Sequence, residues 1–237
     1  QLLWFTSIGA NSDKFRIRQH MKDEKSHYAI DTWDLEYNFP NGWKELQGIA
    51  NRGNFDLTQH EKFSKKDLKM IQEKVGKSEK ILPNVVCEPS QGVERAMLVF
   101  LLDAYTFDEK RQNIVLKFHP KLAPIKAAVF PIIKKPEYEA VAKAIIKDLN
   151  QEMYVVYDKS GSIGRRYARN DEIGTPFCIT VDEDSPKKKT VTIRDRDSTK
   201  QISVKIPDLK ETLRKLINKE IEFTKAGKAV ETRVKEE

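Results

Sequence analysis

From residue 127 onward the chain alternates short apolar runs with amphipathic ones, and that alternation restricts it to a few architectures. Ala127-Ala-Val-Phe-Pro-Ile-Ile133 is an apolar run of strand length, which predicts a buried strand. Residues 137–150 place Val141, Ile145 and Leu149 on one helical stripe. Tyr154-Val-Val-Tyr157 is a second strand, and residues 162–174 form a very polar helix stopped by Gly174-Thr-Pro176. Three further strands follow at Phe177-Cys-Ile-Thr-Val181, Thr190-Val-Thr-Ile193 and Ile202-Ser-Val-Lys-Ile206. Asp208, with Glu211 three residues later, predicts a capped final helix through Phe223. The tail from Thr224 is charged and expected to fray. Strand, helix, strand, helix, three strands and a helix read as a mixed sheet flanked by helices. The fold class expected for the whole chain is α/β, in the broad sense that includes α+β.

The first 111 residues have a different texture. Tyr28-Ala-Ile-Asp-Thr-Trp-Asp-Leu-Glu-Tyr37 and Gly42-Trp-Lys-Glu-Leu-Gln-Gly-Ile49 alternate as strands, and Pro40-Asn-Gly42 between them signals a hairpin. Strict alternation puts Glu45 on the face opposite Lys44 and Leu46, where it can point into a site. Residues 62–80 are Lys-rich and read as helical or disordered, and residues 83–87 as a short buried strand. Next comes Glu88-Pro-Ser-Gln-Gly-Val-Glu-Arg95, running into the apolar helix that starts Ala-Met-Leu-Val-Phe. Gly92 permits close approach of the backbone to a ligand. The helix start offers unpaired N–H groups and a positive dipole end, and Arg95 adds a rigid fork of donors suited to phosphate. A turn followed by a helix whose first-turn Arg merely reaches solvent is the plainer reading, and the eight residues alone do not separate the two.

Composition narrows the function classes. The chain has 237 residues, enough for one large or two ordinary domains. A net charge of +7 fits an anionic partner such as nucleic acid, and a plain Lys-rich surface equally. Cys87 and Cys178 sit in no paired motif, which argues for a reducing compartment and against a disulfide scaffold or a zinc site. The four histidines, His20, His27, His60 and His119, show no i, i+4 pair, so no metal ligand set is expected. No apolar run approaches the ~20 residues of a membrane span, and no signal-peptide pattern is present. The first residue is Gln, in what reads as the middle of an element, and a fragment is expected. Arg165, Arg166 and Arg169 share one helix with Tyr167. They read either as phosphate contacts with a stacking ring or as ion pairs with Asp171-Glu172. Arg194-Asp-Arg-Asp197 alternates on a strand, so one face can read RNA while the other pairs inward.

Taken together, the motifs carry a family resemblance. Arg18-Gln-His20, Ser26-His-Tyr-Ala29, Glu45-Leu-Gln-Gly-Ile-Ala-Asn-Arg52, Asp56-Leu57 with His60, and the 88–95 motif stand in order. Leu116-Lys-Phe-His-Pro-Lys-Leu-Ala-Pro-Ile-Lys126, Asp158-Lys-Ser-Gly-Ser-Ile-Gly-Arg-Arg-Tyr167, Asp171-Glu-Ile-Gly-Thr-Pro-Phe-Cys178 and Thr192-Ile-Arg-Asp-Arg-Asp-Ser-Thr199 continue it. In this collinear order the chain resembles the C-terminal portion of a glycyl-tRNA synthetase of the class II, homodimeric type. The short stretch between His60 and Glu88 is more like bacterial and archaeal members than animal ones. The resemblance implies that residues 1–111 are the end of an antiparallel-sheet catalytic domain, 112–123 a connector and 124–237 a mixed-sheet anticodon-binding domain. It makes 88–95 the class II motif 3, whose Arg contacts ATP. Motifs 1 and 2, with their dimer helix and Arg-x-Glu clamp, are not visible here.

The implied activity is ATP-dependent formation of glycyl-adenylate and transfer of glycine to tRNA(Gly), with Mg²⁺, in a cytoplasmic homodimer. The implied catalytic pair is Arg95 and Glu45. ATP contacts fall to Glu45, Leu46, Gly92, Val93, Glu94 and Arg95. Glycine contacts fall to Glu88, Pro89, Ser90, Gln91, Gly92 and Arg52. The RNA contacts expected are Arg165, Arg166, Arg169, Arg194 and Arg196. The chemistry is consistent: Glu88 can pair an ammonium, Ser90 can hydrogen-bond beside it, and Arg52 can face a carboxylate. Glu45 suits a nucleotide or its magnesium, and Arg95 suits developing phosphate charge. For Glu45 and Arg52 the alternative is a structural ion pair across a sheet. A synthetase-like RNA-binding protein without catalysis remains the second functional class.

Overall fold

The computed structural model describes residues 1–230 and leaves 231–237, the end of the charged tail, outside the described residues. Two compact units emerge: residues 1–6 with 11–99, and residues 7–10 with everything from Phe100 onward.

The first unit begins with helix α1 (Leu2–Ser7) and is built on a four-stranded antiparallel sheet. Its strands are β1 (Phe15–Gln19), β2 (Asp31–Phe39), β3 (Gly42–Asn51) and, after two others, β6 (Glu88–Gln91), in the order β1-β2-β3-β6. The β2–β3 hairpin closes from Phe39 to Gly42 across Pro40 and Asn41, and Gly42 adopts the positive φ of 92° that such a tight turn needs. Phe5, Phe15, Tyr37 and Phe39 form a chain of ring contacts with centroids 4.9–5.6 Å apart, packing one face of the sheet. A bulge interrupts the hairpin: Leu35 pairs with Gln47 but Glu36 with Glu45, which leaves Leu46 as the extra residue. Leu46 turns inward, whereas both Lys44 and Glu45 are exposed. The simple alternation expected for Lys44, Glu45 and Leu46 therefore fails at this bulge.

Between β3 and β6 lie helix α2 (Phe55–Ser64) and the strands β4 (Met70–Lys74) and β5 (Lys77–Ile81). These two strands pair only with each other. The Lys-rich stretch is thus a helix end plus a β-hairpin, since Met70, Ile71 and Ile81 supply enough β character around the Val75-Gly76 turn. Residues 83–87 form no buried strand. Val85 makes one isolated bridge to Gly53, and Val86 and Cys87 are exposed. Helix α3 (Val93–Ala104) follows β6.

The second unit opens with a hairpin of β7 (Tyr105–Asp108) and β8 (Asn113–Leu116). Its main sheet has six strands in the order β10-β9-β11-β12-β13-β14. They are β9 (Ala127–Pro131), β10 (Val155–Tyr157), β11 (Phe177–Val181), β12 (Thr190–Asp195), β13 (Gln201–Lys205) and β14 (Lys228–Val230). β9 is parallel to both β10 and β11, and the other pairings are antiparallel. Every residue of β9 and β11 is buried, as central strands covered on both faces require. Helices α4 (Pro136–Leu149) and α5 (Ile163–Glu172) follow β9 and β10; α6 (Asp184–Lys188) and α7 (Leu209–Ile217) come later. The larger core gathers Tyr138, Ala142, Ile145 and Leu149 of α4 with Leu209, Leu213 and Leu216 of α7. A smaller cluster of Ala128, Phe130 and Cys178 packs with Ile163 and Tyr167 of α5.

Two expectations change at the C-terminal end. Asp208 occupies the N-cap of α7 but makes no side-chain cap, because it ends a 3-10 turn with helical backbone angles (φ −93°, ψ −6°) instead of the extended ones a capping side chain needs; Glu211 is engaged by Arg214 at 2.7 Å and by Lys215 at 3.4 Å, and the helix ends at Ile217. Residues 228–230 are not frayed but add the edge strand β14 to β13.

Candidate functional site: an ion-paired sheet face and a parallel-strand switch point

The antiparallel sheet of the first unit sets polar side chains in rows. Arg18, Asp34, Gly48 and Ser90 stand directly opposite one another across β1, β2, β3 and β6. Arg16, Glu36 and Glu45 form a second row. Directly opposed residues share a face, and so do residues two apart on a strand, so Glu88 joins the same surface. A Cβ on Gly48 would lie 3.3 Å from Oε1 of Glu45 and 3.8 Å from Oδ1 of Asp34. Gly48 therefore leaves a hollow onto which two carboxylates converge.

Arg52 follows β3 and organises one side. Its guanidinium takes Asp56 in a bidentate pair at 2.6 and 2.8 Å, donates to Glu88 at 2.9 Å, and stacks 3.9 Å from the centre of the Tyr28 ring. These bonds raise the pKa of Arg52 further, and the Arg52 hydrogen bond holds Asp56 below the usual carboxylate range. Arg95, in the first turn of α3, donates to the backbone carbonyl of Glu45. The Glu45 carboxylate itself has no hydrogen-bond partner among the described residues and is exposed. The structure thus brings Arg52 to Glu88 and Arg95 to Glu45, and sets Ser90 beside Gly48. Gly92 precedes the helix and Val93 is exposed. Leu46 is buried, so only its backbone is available to a ligand.

Residues that the sequence reading passed over also belong to this face. Asp34 is 4% exposed and its Oδ2 accepts a 2.7 Å hydrogen bond from Nε2 of His20, while its Oδ1 has no partner among the described residues. Glu36 is buried against Arg16, which stacks on Trp43 at 4.5 Å. Asp34 and Glu36 flank Leu35 in the alternating run 28–37, and acidic residues at alternate positions of a strand were the available signal.

In the second unit the geometry sorts the arginines. Arg194 holds Asp171 bidentately at 2.8 and 2.9 Å, deep in the unit, with its guanidinium 4.7 Å from the Tyr167 ring centre. Arg111 reaches the same carboxylate at 3.1 Å. Arg196 is 1% exposed and donates to the carbonyls of Gly174 and Phe118 and to Asp197. Arg166 is buried and donates to the carbonyls of Pro131, Lys159 and Gly161. Arg166, Arg194 and Arg196 therefore direct their hydrogen bonds inward, with Nε of Arg166 buried and unpartnered among the described residues, while Arg165 is exposed and Arg169 pairs with Asp158 at the surface. Asp171 takes its partners from Arg111 and Arg194 rather than from the arginines of its own helix.

β9 is the switch point of the parallel part, since β10 and β11 lie on its two sides. Ligands of such sheets collect beyond the carboxyl ends of the strands at that point. Here Ile132, Ile133, Lys134 and Lys135, all exposed, follow β9, Asp158 to Gly161 follow β10, and Asp182 to Asp184 follow β11. Among the described residues no group of three or more His, Cys, Asp or Glu is arranged to hold a metal ion, and no helix is long and apolar enough to cross a membrane.

Residues 126–216 match the HGTP family described as "Anticodon binding domain". The chain is 49% identical over 205 residues to the glycine–tRNA ligase of Caldanaerobacter subterraneus subsp. tengcongensis, covering 86% of this chain and 43% of that protein. It is 46% identical over 211 residues to the glycine–tRNA ligase of Acetivibrio thermocellus, covering 87% and 44%. It is 42% identical over 223 residues to that of Borreliella burgdorferi, covering 92% and 50%. The chain spans about half the length of the curated relatives it matches. This similarity agrees with a C-terminal portion of such a ligase, as the motifs implied, and the mixed sheet of the second unit agrees with an anticodon-binding domain.

Proposed function

We propose that the chain is the C-terminal portion of a glycine–tRNA ligase, carrying the motif 3 side of the active site and an anticodon-binding domain over 124–237. The observation that carries this reading is identity of 42–49% to such ligases across most of the chain. In the proposed reaction the glycine carboxylate attacks the α-phosphate of ATP and pyrophosphate leaves; a ribose hydroxyl at the tRNA 3′ end then attacks the glycyl carbonyl of the adenylate, forming the ester as AMP leaves. Glu88 and Ser90 hold the glycine ammonium, with Pro89, Gln91 and Gly92 forming the wall beside them, and Arg52 fixes Glu88 and faces the carboxylate. The 2.9 Å Arg52–Glu88 contact supports this pairing, because a carboxylate already oriented needs no reorganisation to receive a cation.

Arg95, the backbone of Leu46, and Gly92, Val93 and Glu94 at the start of α3 make the nucleotide side. Glu45, exposed and without a partner among the described residues, fits a Mg²⁺ bound chiefly by phosphate oxygens, and the ion would supply charge neutralisation on those oxygens. In the anticodon-binding domain, Arg165 with Lys134 and Lys135 are exposed cations beside the switch-point loops that make no ion pair among the described residues, whereas Lys159 in the loop after β10 is paired with Glu139. We assign tRNA(Gly) contact to them, with Arg166, Arg194 and Arg196 shaping that surface from inside. A cytoplasmic homodimer follows from the same family reading.

The test is ATP–pyrophosphate exchange in the full-length ligase that contains this chain, started by glycine, alanine or serine. Exchange restricted to glycine supports the assignment. Binding of tRNA(Gly) without any exchange would move the protein to the non-catalytic class.

A further inference from the structure

Asp34 carries a buried carboxylate oxygen that the fold leaves unsatisfied. Oδ2 accepts from Nε2 of His20, but Oδ1 is buried with no hydrogen-bond partner among the described residues. Arg18, its neighbour on β1, is turned to Glu24. A carboxylate oxygen withdrawn from water without a donor is costly, and one kept beside a candidate site points to a ligand that brings the donor. The strand register shows what kind of ligand fits. Asp34 on β2, Gly48 on β3 and Ser90 on β6 lie side by side on one face, with Glu88 two residues from Ser90 on the same face. Gly48 has no side chain, so the acceptors of β2 and β6 face each other across an open strip. Oδ1 of Asp34 leans into that strip, 3.8 Å from the point a Cβ at residue 48 would occupy. On the other wall the Ser90 hydroxyl has no hydrogen-bond partner among the described residues, and Glu88 gives only Oε2 to Arg52. Oγ1 of Thr32, two residues along β2, is also buried and unpartnered, but Thr32 stands opposite Ala50, whose methyl group closes the strip there.

We propose that Asp34 is the third acceptor of the glycine ammonium and that Gly48 is the floor over which that ammonium sits; the inference rests on the ligase reading above, in which Glu88 and Ser90 hold the same group. An ammonium carries three N–H donors. Glu88 and Ser90, both on β6, receive two of them, and the third points across the strip to Oδ1 of Asp34. His20 completes the arrangement, because its bond to Oδ2 keeps the carboxylate from turning and leaves Oδ1 forward. The charge at this point is right for a cation, since the Asp34 oxygen and the unpartnered Glu45 carboxylate both converge on the position above Gly48. The floor sets the room available: a methyl group on residue 48 would stand where the nitrogen stands.

The test titrates two adenylate analogues into the full-length ligase that contains this chain, by calorimetry. One is 5′-O-(glycylsulfamoyl)adenosine, which carries the ammonium. The other is 5′-O-(acetylsulfamoyl)adenosine, which has a methyl group in place of the aminomethyl. Asp34→Asn and Gly48→Ala are compared with the parent enzyme, and thermal melts check folding. Gly48 has no positive φ, and the atom a new methyl group meets at 3.3 Å is the free end of the exposed Glu45 side chain, so alanine is compatible with the fold. In Asp34→Asn the amide oxygen stays with His20, which turns the NH2 group toward the ammonium. Affinity for the glycyl analogue should fall about 10–100-fold in both variants, the scale of one lost hydrogen bond to a charged group, while affinity for the acetyl analogue stays unchanged. An unchanged preference for the glycyl analogue in Asp34→Asn overturns the proposal and leaves the ligase reading standing. An equal loss on both analogues also overturns it, because Asp34 would then support the sheet or the nucleotide. Gly48→Ala carries the test by the same criteria if Asp34→Asn does not fold. A parent enzyme that binds the two analogues equally reads no ammonium, and the ligase reading falls with the proposal.

Discussion

Removing the Asp171 carboxylate tests the buried arginine network directly. Asp171 is 2% exposed and Arg194 7%, and two hydrogen bonds of 2.8 and 2.9 Å join them. Asp171→Ala leaves the Arg194 guanidinium buried without its carboxylate partner, beside the face of Tyr167 and the buried Cys178 thiol. Arg111, more open to solvent, can turn outward. Breaking one partner of a buried pair costs about 3–5 kcal/mol. For a unit of roughly 130 residues that lowers Tm by about 10–20 °C. All three tryptophans, Trp4, Trp33 and Trp43, lie before residue 100, so their fluorescence reports the first unit and far-UV circular dichroism adds the second. Asp171→Ala should lower the dichroism transition well ahead of the fluorescence transition. Combining it with Arg194→Met, which replaces the orphaned charge with an apolar chain of similar length, should restore more than half of the loss. A loss below ~1 kcal/mol for Asp171→Ala, or a double variant worse than the single one, would refute the view that Arg194 is held as a charge by Asp171.

Other outcomes follow from the same geometry. In the full-length ligase, Arg95→Ala should slow ATP–pyrophosphate exchange by about 100-fold or more, the scale of one lost transition-state donor, and normal exchange would remove Arg95 from the site. Glu88→Gln keeps the shape and removes the charge, so the KM for glycine should rise much more than that for ATP; equal changes would place Glu88 outside glycine binding. His119 is held down to about 4, by burial first and by Lys219, Lys121 and Lys126 after it. It stays neutral in the fold while the unfolded chain takes up a proton near 6.5, so its contribution to stability is present above about 6.5 and is lost as pH falls toward 4. Denaturant midpoints measured across that window should fall with pH, and His119→Asn should flatten the fall. Residues 124–237 expressed alone should fold cooperatively and bind tRNA(Gly) in a salt-dependent way, with preference over a tRNA of altered anticodon; equal binding of the two would exclude anticodon reading.

The strands and helices of the second unit were legible because their signals are local. β9 and β11 are continuous apolar runs, α4 repeats its stripe every three or four residues, and Ser162 caps α5 by accepting from the Arg165 amide. The hairpin at Pro40 and Asn41 was legible for the same reason. The bulge at Leu46 was not, because an extra residue shows only when two strands are laid side by side, and one residue of slip reverses which side chains face inward. Residues 62–80 were misread because lysine disfavours strands on average, while a hairpin of five residue pairs needs only a tight turn and a few apolar positions.

For the candidate sites the decisive quantity is distance in sequence. Arg52 finds Glu88 across 36 residues, and Arg95 finds the Glu45 carbonyl across 50. No periodicity connects such pairs, and the collinear motifs did so only through resemblance. The arginines of the second unit show the cost of reading charge without partners. Arg165 and Arg166 are neighbours of one type, yet one is exposed and the other buried on three carbonyls. A helical turn advances about 100° per residue, so adjacent residues on α5 face different surroundings. Arg194 on β12 and Arg196 in the turn just after it both point inward and meet Asp171 and Phe118, 23 and 78 residues away. Their alternation was readable, but which side was inward depended on where those distant segments came to rest.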